Sequence, residues 1–100
     1  MHAVLTAKQR QFLKGLAHPL SPVVRVGKGR LTPSVVAETN RSLEAHELIK
    51  VRIESDDAAE RRDIATHLAA ETSSEVAATI GKVAILYRAR EEKPKIKVPV

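Results

Sequence analysis

Val23-Val24-Arg25-Val26-Gly27-Lys28-Gly29-Arg30-Leu31-Thr32-Pro33 carries a short β-branched run into a basic, glycine-containing loop and then into a helix start. Val23 to Val26 has the composition of a strand. Thr32 is a good N-cap, and Pro33 suits the first helical position because its missing N–H is one the first turn leaves unpaired anyway. The helix beginning there turns free amides and a partial positive charge toward the loop. Lys28 and Arg30 add full charges at that spot, while Gly27 and Gly29 allow close approach to the backbone and accept positive φ. The order strand, basic loop, helix N-terminus makes a place to hold phosphate. Gly27, Lys28, Gly29, Arg30 and Thr32 are therefore the leading candidate site residues.

Working outward, the flanking sequence supplies three helical and four strand-like patterns. Thr6 and Gln9 have capping-box spacing, after which Phe12, Leu13, Leu16 and Ala17 share a face until Pro19 stops the helix. The helix opening at Thr32 shows Val35, Val36, Thr39 and Leu43 at helical spacing and ends near His46. Leu48 to Glu54 then alternates, with Ile49, Val51 and Ile53 on one side and Lys50, Arg52 and Glu54 on a wet one. Asp57 and Glu60 precede a third helix with Ile64, Ala65 and Leu68 as its stripe, ending around Thr72. Val76 to Ile80 and Val83 to Arg88 are separated by Gly81-Lys82, the spacing of a tight antiparallel hairpin. Strands separated by a helix join as parallel crossovers. The expected fold is α/β: a single compact domain ordered helix-strand-helix-strand-helix-strand-strand, with a four-stranded mixed sheet and helices packed on one face of it. Residues 1–88 form the domain, and the basic, proline-broken residues 89–100 are expected to be a mobile tail, with an edge strand through Lys95 and Lys97 as the alternative.

The charge is unevenly distributed. The chain has 100 residues and a net charge of +5, but its first acid is Glu38, so residues 1–37 carry +6, residues 38–80 carry −5 and residues 81–100 carry +4. If the two basic ends meet, the molecule has one positive and one negative surface, which suits nucleic acid better than a small ligand. There is no cysteine, hence no disulfide, thiol nucleophile or cysteine-based metal site. The N-terminus Met1-His2-Ala3-Val4-Leu5-Thr6 lacks the pattern of a secretory signal, and no stretch approaches the roughly 18 apolar residues of a membrane span. A cytoplasmic protein without membrane contact is expected.

Three segments carry a family resemblance: Leu13-Lys14-Gly15-Leu16-Ala17-His18-Pro19-Leu20, His46-Glu47-Leu48-Ile49-Lys50-Val51 and Ile80-Gly81-Lys82-Val83-Ala84-Ile85-Leu86-Tyr87-Arg88. Taken in order, over nearly the whole chain, they resemble the CRM domain family, the YhbY-like bacterial RNA-binding proteins. The resemblance implies a fold similar to the C-terminal domain of translation initiation factor three and binding of structured RNA. Bacterial members are associated with precursors of the large ribosomal subunit and plant organellar relatives with group II intron splicing, so the implied role is ribosome maturation on rRNA or a pre-ribosomal particle; a monomer is expected. One departure stands out. The family loop reads Gly-x-x-Gly, whereas here the first position is Gly27, the fourth is Arg30, and Gly29 stands one place early.

Further candidate phosphate contacts are Lys8, Arg10 and Lys14 on the first helix and Lys50, Arg52, Lys82 and Arg88 near the sheet. Phe12 and Tyr87 are the only aromatics, and Phe12 falls on the stripe expected to be buried, so recognition rests on backbone and shape rather than on base stacking. Two other functions compete. Gly27-x-Gly29-x-x-Thr32, with Glu54 ending the next strand, is one glycine short of the dinucleotide fingerprint, and a Walker A loop fails on spacing. A protein-binding adaptor on pre-ribosomal particles would use the same charged surfaces. His2, His18, His46 and His67 are scattered, with no metalloprotease pattern or nucleophile elbow; His67 reads as solvent-facing, and Glu54-Ser55-Asp56-Asp57 as a helix cap rather than a calcium loop. No enzyme activity, metal or cofactor is expected.

Overall fold

Side-chain caps decide where each helix begins. In the computed structural model, which describes residues 4–100, helix α1 (Ala7–Ala17) starts at a reciprocal capping box: Thr6 Oγ1 accepts from the Gln9 N–H at 3.1 Å and Gln9 Oε1 from the Thr6 N–H at 2.9 Å. Met1, His2 and Ala3 lie outside the described residues, as does the reading of the extreme N-terminus. Strand β1 (Pro22–Val26) leads through a tight turn, Gly27–Gly29, to helix α2 (Pro33–His46), where Thr32 Oγ1 accepts from the Val35 N–H at 3.1 Å. Strand β2 (Leu48–Ile53) follows. Helix α3 (Ala58–Glu71) is capped by Asp57, whose Oδ1 accepts from the Ala59 and Glu60 amides. Strands β3 (Glu75–Ile80) and β4 (Val83–Tyr87) close a hairpin in which Gly81 takes φ +56°.

The sheet order is β1-β2-β4-β3, with β1 parallel to β2 and the other pairs antiparallel. This is the expected α/β domain with its mixed sheet. The hairpin inserts β4 between β2 and β3, which places β1 at an open edge.

Helices cover both faces, not one. In β4, Ala84 and Leu86 point into a core with Val24, Val26, Ile49, Val51 and Ile53 beneath Leu43 of α2 and Ile64 and Leu68 of α3. Ile85 and Tyr87 point the other way, into a second core with Leu13 and Ala17 of α1, Leu5, Leu48 and Ala77. The unbroken apolar run of β4 is the sequence signature of a strand buried on both sides. The capping register also sets which side of α1 is buried. Leu13 and Ala17 are fully buried, whereas Phe12 and Leu16, expected on the buried stripe, are 37% and 43% exposed.

Residues 89–100 form neither a helix nor an edge strand, and they are held on the domain. Ile96 and Val98 pack against the second core, and the Gln9 side chain donates to the Pro99 carbonyl at 2.9 Å. The anchor is Glu47. Its side chain is buried, and its carboxylate accepts from the backbone N–H groups of Arg90 (2.8 Å), Lys95 (2.6 Å) and Ile96 (3.0 Å). Burial pushes this carboxyl up, but the three amides and the nearby Arg90 charge outweigh it and hold its pKa below the ordinary value. The same burial, helped by the Glu47 charge, raises the pKa of Tyr87. The expectation of a mobile tail is therefore corrected: its polar backbone is satisfied by a carboxylate far away in sequence.

Candidate nucleic-acid interface

The parallel pairing of β1 with β2 helps bring three loops to one end of the sheet. Glu54 N–H donates to the Val26 carbonyl at 2.9 Å and Ile53 N–H to the Lys82 carbonyl at 2.7 Å, so the 27–32 loop, the 54–57 loop with the start of α3, and the Gly81-Lys82 turn meet there. Within the first loop the Arg30 N–H donates to the Gly27 carbonyl at 3.0 Å and closes the turn. The left-handed residue is Lys28, at φ 48° and ψ 37°, and not Gly27. Such a φ is unfavourable for a residue with a side chain. A lysine is thus held at the position where a glycine would be strain-free.

Lys28 and Arg30 are both exposed, and neither carries an ion pair among the described residues. Thr32 is exposed and engaged as the N-cap, which orients the first turn of α2 toward them. Lys8, Arg10 and Lys14 are exposed along α1, on the opposite face of the sheet from α2 and α3. Because the tail packs on α1, its exposed Lys95 and Lys97 join that face, so the two basic ends of the chain do meet.

Other candidates are partly committed elsewhere. Lys50 is half-buried and donates through Nζ to the His18 carbonyl at 3.2 Å, closing the end of α1 onto the sheet. Arg52 pairs through Nε with Glu54. That hydrogen bond, with the charges of Arg52, Arg25 and Lys82, holds the Glu54 carboxyl below its ordinary pKa. Lys82 reaches Asp56 at 3.1 Å across a solvent-exposed contact. Arg88 is consumed inside the fold. Its Nη1 donates to Asn40 Oδ1 (2.8 Å) and the Thr72 carbonyl (2.7 Å), and its Nη2 to the Asn40 carbonyl (3.1 Å) and Glu44 (3.5 Å). Its guanidinium ties α2 to the end of α3 and has little left for a phosphate, so it is removed from the candidate interface.

Arg25 is the residue that sequence reading left out of the candidate set. It sits directly across from Arg52 in the β1–β2 register, on the face opposite Val24 and Val26, and it is exposed. The alternation of Val23 to Val26 contained that signal, since two buried valines flank it. With Lys28 and Arg30 beyond the strand end, Arg25 on β1 and Arg52 beside it on β2 add cations to the same end of the sheet. Among the described residues no helix is long and apolar enough to cross a membrane.

Mixed-sheet topology, a capped helix after a basic loop, and cations on the loop and along the edge strand define an α/β domain shaped to meet a polyanion. The CRS1 / YhbY (CRM) domain model matches residues 5–88, and the chain belongs to that family. It is 45% identical over 95 residues, 95% of each chain, to a protein of Haemophilus influenzae named as an RNA-binding protein. It is 35% identical over 96% of its length, and the whole of the relative, to the probable RNA-binding protein YqeI of Bacillus subtilis. The solution structure of a Staphylococcus aureus protein described as a candidate RNA binder superposes with a TM-score of 0.86 at 32% identity, covering 96% of this chain and all of the other.

Proposed function

We propose that this protein binds structured RNA through the 27–32 loop and the N-terminus of α2, and acts in assembly of the large ribosomal subunit. The observation that carries the reading is the pair Lys28 and Arg30, two exposed cations with no ion pair among the described residues, held ahead of a Thr32-capped helix. Arg25 and the α1 bases Lys8, Arg10 and Lys14 extend the phosphate contacts. Gly27 keeps the loop backbone accessible. Arg52, Lys50 and Lys82 contribute less, because each already has an internal partner. The names of the relatives and the family's association with ribosome precursors support RNA as the partner. The chain acts as a non-catalytic, cytoplasmic monomer, with residues 1–88 as the domain and the basic tail 89–100 held against it.

The test is ultraviolet crosslinking in living cells, comparing wild type with a Lys28→Ala, Arg30→Ala double variant. A discrete footprint on large-subunit rRNA, lost in the variant, is expected; no enrichment over an untagged control would sink the reading. In vitro, each single substitution should lower the slope of log affinity against log salt by about 1, with all RNA sequences weakened alike.

A further inference from the structure

Three exposed apolar side chains interrupt the basic face of this domain. Leu16 and Leu20, at and just beyond the last turn of α1, and Val23 at the open edge of β1 are 43%, 39% and 45% exposed, and with Leu48, Ile49 and Ile96 they line a groove of about 470 Å³. Ser21 and His46 are the polar groups on its wall. Exposed aliphatic side chains gathered in one concavity mark a binding surface.

The surroundings of the groove indicate its occupant. Leu16, Leu20, Ser21 and Val23 all come from the stretch before Glu38, which contains no carboxylate. Lys50 Nζ sits at the His18 carbonyl beside the end of α1, and Arg25 follows Val23 on the same face of β1. From Val23 the strand runs about 10 Å, at ~3.3 Å per residue, to Val26, where the loop carrying Lys28 and Arg30 begins. A chain carrying negative charge at regular intervals could track those cations from the loop to the groove. A nucleic-acid strand is such a chain, and its bases have apolar faces with polar edges, which suits an aliphatic floor with a serine hydroxyl and an imidazole on the wall. A base inside a duplex is stacked and cannot enter.

We infer that this groove receives an unpaired base of the RNA whose phosphates the 27–32 loop holds. The inference rests on the RNA-binding reading and adds to it a preference for looped or single-stranded RNA over duplex. It also gives the tail a part in recognition, because Ile96, held in place by the Glu47 carboxylate, forms one wall.

The test compares two labelled RNAs of equal phosphate count, a hairpin with an all-uridine loop and a blunt duplex, by fluorescence anisotropy. Wild type should prefer the hairpin by about 10-fold, the size expected for seating one base. Leu20→Ser and Val23→Ser change exposed side chains and leave the cores intact; each should bring that preference toward unity while duplex affinity and its salt slope stay unchanged. The Lys28→Ala, Arg30→Ala variant should weaken both RNAs and keep the preference. A 4-thiouridine in the loop should crosslink to residues 16–23 or 46–49. Equal wild-type affinity for the two RNAs, a preference that survives both serine variants, or a crosslink elsewhere would overturn the base site while leaving RNA binding in place, and would make the groove a protein-docking surface. Salt-independent or absent binding of both RNAs would overturn the underlying reading as well.

Discussion

Replacing Glu47 removes one carboxylate that three backbone amides of the tail share, and the consequence can be worked from the geometry. Hydrogen bonds to a charged acceptor contribute about 1.5–3 kcal/mol each. Half-burial of Ile96 and Val98 adds roughly 1.5–3 kcal/mol together. Release of the tail returns backbone entropy of about 1–2 kcal/mol for each residue freed, which limits the loss. A net loss of about 2–3 kcal/mol is expected for Glu47→Ala, in the range for breaking a buried polar network.

The backbone contribution is separable. Glu47 sits at φ 64° and ψ −39°, where a side chain is strained, so Glu47→Gly relieves that strain and should lose about 1 kcal/mol less than Glu47→Ala. The sign of the pH dependence follows from the depressed carboxyl. A folded pKa below the ordinary 4.5 means that the stabilisation is fully present above that value and is lost as pH falls through the folded pKa. Urea unfolding of wild type and both variants at neutral pH and down to about pH 3, with amide exchange at Arg90, Lys95 and Ile96, measures all of this. A Glu47→Gly protein as stable as wild type with those amides still protected, or a stability gap that persists unchanged in acid, would refute the role assigned to the carboxylate.

Arg88→Met should cost about 2–3 kcal/mol in urea unfolding, because it strands the Asn40 and Thr72 acceptors, and Arg88→Lys should recover only part since an ammonium cannot bridge them in the same plane. Leu13→Ala, at a fully buried site between α1 and the sheet, should lose about 2–5 kcal/mol by the same measurement. Lys28→Gly should raise the melting temperature by several degrees, corresponding to about 1 kcal/mol of relieved backbone strain, while weakening RNA binding in a salt-titrated anisotropy assay.

The elements were legible because their signals are local. Thr6, Thr32 and Asp57 cap where their spacing says, and Gly81-Lys82 turns the hairpin. What escaped depends on contacts distant in sequence. Nothing near Phe12 says that α1 will present Leu13 and Ala17 to a second face of the sheet, although the unbroken run Val83 to Tyr87 hinted that such a face is buried. Glu47 reads as an ordinary helix-end acid until the amides some 43 to 49 positions away arrive on it. Arg88 looked like a free cation at a strand end because Asn40 is 48 residues distant. In the candidate site, the loop itself was readable. Which of its residues takes the left-handed conformation was not, since Gly27, Lys28 and Gly29 compete for it within one turn.

That competition has a consequence for how this loop can change. With lysine at the left-handed position, folding stability and charge pull in opposite directions at a single codon. A screen that rewards heat resistance alone would enrich Gly or Asn at position 28 and would discard the cation the loop presents. A screen on ligand retention would keep the lysine and tolerate the weaker fold. Libraries built on this domain therefore need both selections applied together, or stabilisation will erode binding through a residue that touches nothing in the core.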